Sequence, residues 1–185
     1  MPLATRPWWR VLAGASLLFV AASARAEDPW KPPPHLRPQT ADARDLLADA
    51  KARSPLVREM VDRLEQSDVI VYIRHRAMKS SALEGWIGVL SVASGWRYLV
   101  IELACGRVWI DQLTTLGHEL HHAVEIAGEP SVVDARSLAA FYDRIGIRTG
   151  GHGPGETFET VAAHRAGQQV RRDALARSAR TTEDK

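Results

Sequence analysis

One cysteine in 185 residues has no partner within the chain. That excludes an internal disulfide framework and any zinc or iron–sulfur site built from several cysteines. An excess of one charge is missing too: 24 Lys and Arg face 22 Asp and Glu, a net of +2, which makes no electrostatic case for nucleic acid. No stretch approaches the roughly 20 apolar residues of a membrane-spanning helix. There is no internal repeat, and the only biased segment is a short proline-rich arm. What is present is a hydrophobic fraction of 45%, ordinary for a folded chain and too high for wholesale disorder. The length suits one domain.

The N-terminus reads as an export signal. Arg6 and Arg10 precede an apolar run from Val11 to Ala22, and Ser23-Ala24-Arg25-Ala26 offers an A-x-A cleavage pattern. The sequence therefore predicts a signal peptide over 1–26 and a periplasmic or secreted mature protein with no transmembrane segment. Its loss removes three arginines and no acids, leaving 21 basic and 22 acidic side chains on 159 residues. Cys105, beside Gly106 at a strand end, is read as buried or incidental.

Residues 27–39 hold five prolines and are expected to form an extended linker. A single domain over 40–176 and a charged tail over 177–185 complete the expected organisation. Thr40 predicts a capped helix over 41–52, and Ser54-Pro55 a second helix start, a cap followed by proline at the first helical position. Residues 68–74, 86–92 and 96–103 read as strands, the last two forming a hairpin about Ser94-Gly95. Val108–Ile110 is read as a possible extension of the sheet. Asp111 is expected to cap a helix stopped by Gly128, and Ser131 to cap another ended by Gly146. A Gly-rich loop then leads to a last helix from Glu156. Grouped strands followed by helices predict an α+β fold with a small antiparallel sheet.

The chemistry lies in Gly117-His118-Glu119-Leu120-His121-His122, which contains H-E-x-x-H. Residues four apart stack on one helix face, so His118 and His122 can reach one metal ion. Glu119, on the adjoining side, can receive a proton from water held by that metal. Leu113, Leu116, Leu120 and Val124 fall on the opposite side and are expected to pack on the sheet. His121 is read as a supporting or surface residue.

A catalytic zinc site usually takes a third protein ligand. Glu125, Asp134, His152, Glu156 and Glu159 compete. Glu125 shares the histidines' face but lies beyond His122 along the axis, which suits a supporting role better. Glu159 is preferred on its position: on the expected last helix it falls in a stripe with Ala162, Ala163, Ala166 and Val170, where a carboxylate is costly unless paired or metal-bound. Glu156 lies at the edge of that stripe.

This pattern resembles the gluzincin branch of the zincin metallopeptidases, and small exported bacterial proteins with an H-E-L-x-H-A-x-E stretch and a later E-T. The resemblance spans roughly Val69 to Val170. It implies zinc on His118, His122 and Glu159, with Glu119 as general base acting on a peptide or protein substrate. It also implies a strand beside the metal, for which Trp96–Leu103 or Val108–Ile110 are the candidates, and a donor for the developing oxyanion, for which His152 and Tyr142 compete. Tyr142, on a stripe with Ala135, Leu138 and Ile145, is read first as core packing. Two other readings share the motif. One is a catalytically inactive zincin-like interaction module that keeps the metal, which the small size and proline arm suit; the other is metal handling by a His-rich helix.

Overall fold

The computed structural model describes residues 33–78, 83–150 and 157–183. The expected signal peptide lies outside the described residues, as do His152 and Glu156. Among the described residues, five helices pack with a small mixed sheet in an α+β arrangement. The strands of that sheet are β1 (Leu36–Pro38), β2 (Val69–Arg76), β3 (Gly85–Ala93) and β4 (Trp96–Ala104). The last residues of the expected proline-rich linker are thus a strand, paired in parallel with Val71–Ile73.

Sheet order is β1-β2-β4-β3, with β2 and β4 parallel and only β3–β4 antiparallel. The expected antiparallel sheet is therefore corrected to a mixed one. The β3–β4 hairpin forms as expected, its loop turning through Ser94 and Gly95 with φ of 51° and 79°, the positive values that match strand twist. Its return strand, however, inserts beside β2. The reason is legible in β4 itself. Leu99 to Ala104 are all buried, an apolar run broken only by Glu102, which pairs with Arg74 and Arg76, as suits a strand paired on both edges.

Leu99, Ile101 and Leu103 of β4 and Val69, Val71 and Ile73 of β2 face one core. Against them pack α1 (Ala41–Arg53), α2 (Pro55–Glu65) and α3 (Trp109–Ala127). Thr40 and Ser54 cap the first two through Ala43 N and Val57 N, as predicted. The leucines Leu113, Leu116 and Leu120 of α3 are fully buried in this core. Val108–Ile110 is not a strand: Val108 precedes α3, and Trp109 begins it, its indole donating to Asp49 Oδ2 at 2.7 Å. Asp111 accordingly sits in the first turn, paired with Arg171 at 2.7 Å, and does not cap.

The far end of α3 is held by a buried arginine of the sheet. Arg97 donates to the carbonyls of Ile126, Ala127 and Glu129 at 2.8–3.2 Å, and binds both oxygens of Asp68 at 2.6 and 2.8 Å. Helix C-termini leave carbonyls without partners, and a cation there answers both their hydrogen bonding and the dipole. The chain continues through α4 (Ala135–Ile145), a short hairpin of β5 (Ile147–Gly150) and β6 (Thr157–Glu159), and α5 (Val161–Glu183). Asp134, and not Ser131, caps α4, in a reciprocal pair with Ser137. Cys105 is exposed, contrary to the buried alternative. No helix among the described residues is long and apolar enough to cross a membrane.

Candidate metal centre

His118 and His122 project from the middle of α3, one turn apart. Their Nε2 atoms stand 3.1 Å from each other. Glu159 reaches them from the end of β6, its Oε2 3.0 Å from His118 Nε2. One donor atom from each of the three residues lies within 4.8 Å of the others. Two nitrogens bound to one tetrahedral zinc at about 2.05 Å stand roughly 3.3 Å apart, so the donor set fits such an ion with little movement. This triad can hold a metal.

The structure corrects the expected placement of Glu159 on the last helix. Glu159 is not on the last helix; it ends a strand paired with Ile147. The helix starts after Thr160, whose hydroxyl accepts from Ala163 N at 3.0 Å. A Thr before Val-Ala-Ala is a readable cap signal, and reading it would have taken Glu159 out of the helix. The small stripe has a different use. Ala163, Ala166 and Gly167 are buried against α3, and a Cβ on Gly167 would lie 2.9 Å from the Thr114 carbonyl oxygen and 3.3 Å from His118 Cβ. Ala162 is exposed.

Glu119 is buried beside the triad at 5% exposure. Burial pushes its carboxyl above the usual range, against the pull of the neighbouring His122 and His118. The start of β3 passes directly over it: a Cβ on Gly85 would come within 2.7 Å of Glu119 Oε1. Burial alone would lower the His118 pKa, but the Glu159 hydrogen bond and the surrounding carboxylates raise it. For Glu159 burial acts upward and is outweighed by His118, so its carboxyl lies below the usual range. His118, Glu119 and Glu159 line a cleft of about 530 Å³, walled by Leu83–Gly85, Thr114, Thr115, Ile147, Val161, His164 and Gln168.

Behind His122 is a second layer. His122 Nδ1 lies 2.8 Å from Glu125 Oε2 and 3.0 Å from the Tyr142 hydroxyl. Thr160 donates to Glu125 Oε1 at 2.7 Å, and Tyr142 to Glu125 Oε2 at 3.3 Å. Burial, reinforced by Glu125 and Glu119, pushes the Tyr142 phenol far up, so it remains a donor. Tyr142 is thus a core residue with a polar task. Its hydroxyl is committed to this network, so it is not the cleft donor considered in the sequence. Glu125 stands where the helix spacing put it, beside His122 and outside the triad. His121 sits at 3.6 Å from Glu125 on another side of α3 and also stays outside. Asp134 is an exposed helix cap and is not part of the triad.

No protein-family model, no curated protein and no solved structure matches this chain.

Proposed function

We propose that this protein is an exported, zinc-dependent metallopeptidase-like hydrolase acting on peptide or protein substrates. The observation that carries the reading is the convergence of His118, His122 and Glu159, with His118 and Glu159 lining a cleft, His122 buried behind them and the carboxyl of Glu119 alongside. Two imidazoles and a carboxylate form a donor set suited to zinc. Zinc bound there supplies Lewis-acid polarisation of a carbonyl and acidification of water.

The chain's own residues do the rest. Glu119 accepts and holds a proton on its carboxylate, a task that burial favours because it stabilises the neutral form. His164 and Gln168 offer further polar side chains along the cleft. Among the described residues the outer edge of β3 has no strand partner, and its first residue, Gly85, lines the cleft. An extended substrate can pair there, in place of the β4 and Val108–Ile110 segments expected from sequence; β4 is internal and the other is helical. Export is supported by the basic, apolar and A-x-A sequence of residues 6–26.

Purified protein and its Glu119→Gln variant, loaded with zinc and digested against a peptide library, test the reading. Both are expected to bind one zinc, with cleavage by the variant lower by roughly 10²–10⁴-fold. Equal cleavage by the two would remove Glu119 from the mechanism. Zinc binding without cleavage by the wild type would favour the inactive interaction module.

A further inference from the structure

The triad accounts for His118, His122 and Glu159 but leaves a largely buried carboxylate, Glu125, surrounded by donors from three different elements. His122 on α3, Tyr142 on α4 and Thr160 at the start of α5 all direct polar hydrogens toward it. We infer that Glu125 is a positioning residue for the metal centre: with Tyr142 and Thr160 it fixes the His122 tautomer and ties the Glu159 strand to helix α3. The inference rests on the metal reading proposed above.

The tautomer follows from the partners. A carboxylate is acceptor-only, so the 2.8 Å contact with Glu125 Oε2 places the imidazole proton on His122 Nδ1. The lone pair is then on Nε2, the atom that faces His118 Nε2. His122 is 3% exposed, so no solvent competes to reset that choice. Thr160 and Tyr142 also donate to this carboxylate, so its oxygens serve as acceptors on every side. Thr160 completes the link. Its hydroxyl donates to Glu125 at 2.7 Å and accepts from Ala163 N, and it directly follows Glu159 in the chain. One carboxylate therefore restrains both segments that supply ligands, α3 and β6. Such outer partners typically contribute 10–100-fold in metal affinity.

Glu125→Gln separates this role from packing. The amide keeps the side chain's size but offers one acceptor and one N–H₂. Its oxygen can take the place of Oε2, accepting from His122 Nδ1 and Tyr142, while the N–H₂ faces the Thr160 hydroxyl, so the tautomer is kept and the negative charge is lost. Glu125→Gln is thus expected to weaken binding less than Glu125→Ala, which removes the acceptor altogether.

The experiment is competition of zinc against a chromophoric chelator for wild type, Glu125→Gln, Glu125→Ala, Tyr142→Phe, Thr160→Val and Thr160→Ser. Cobalt(II) absorption and melting of the metal-free proteins are read in parallel. The expected result is a roughly 10–100-fold loss of zinc affinity in Glu125→Ala with an altered cobalt spectrum, and a smaller loss in Glu125→Gln. Smaller losses are expected in Tyr142→Phe and Thr160→Val, with recovery in Thr160→Ser. Variants that melt lower while keeping wild-type affinity and spectrum would overturn the inference and leave the metal site standing. A wild type that binds neither ion would overturn the metal reading and this inference with it.

Discussion

Arg97 shows how one side chain sets the position of the site without touching it. Its guanidinium is 3% exposed and is shared between Asp68 and the carbonyls that end α3. Paired and fully hydrogen-bonded, it avoids the penalty of a lone buried cation. The Arg97 guanidinium holds the Asp68 carboxyl below the usual range, against a smaller upward push from burial. A carboxylate whose folded pKa is depressed contributes stability above its unfolded value, near 3.9, and loses it as pH falls through the folded one. Asp68 is about half exposed, so its contribution is screened. Asp68→Asn is expected to cost about 1 kcal/mol at pH 7, a difference that shrinks below about pH 4. Urea denaturation across that pH range checks it; a constant difference down to pH 2 would contradict the pairing.

At the scale of elements, the site is assembled by α3, the β5–β6 hairpin and the first turn of α5. The periodicity of Leu113, Leu116 and Leu120 set the core-packed face of α3 in the sequence, and with it the side from which His118 and His122 project. That part was legible because helix spacing is local. Glu159 was legible only as a carboxylate out of place, since its strand exists through pairing with Ile147, a contact that no local pattern announces. The network of Tyr142, Glu125 and Thr160 joins residues 17 and 35 positions apart, and sequence spacing could place only Glu125 near His122. At Gly167 α5 runs close against the metal-binding helix. Alanine would ordinarily gain up to about 1 kcal/mol over glycine in a helix interior. Here its methyl would press on the Thr114 carbonyl and on His118 Cβ. Gly167→Ala is expected to destabilise by about 1–3 kcal/mol and to weaken zinc binding as α5 is pushed from α3. Thermal melting and zinc titration check both effects; a higher melting temperature with unchanged affinity would contradict the close approach.

Across the whole molecule, the α+β class followed from grouping of strands and helices, whereas strand order did not. Three strands in succession suit an antiparallel meander as well as the observed insertion of β4 between β2 and β3, and only the depth of burial of β4 separates them. The insertion matters for function, because it leaves β3 as the sheet edge beside the cleft. The lone cysteine, Cys105, is exposed and outside the triad. Any tightly held metal therefore rests on histidine and carboxylate ligands, and the described residues gather three of them at one point. The most direct test is anomalous diffraction at the zinc edge from crystals of the zinc-loaded protein. The account predicts one peak about 2.0–2.2 Å from His118 Nε2, His122 Nε2 and a Glu159 carboxylate oxygen. A peak elsewhere, or none at this triad in a zinc-replete crystal, would contradict it.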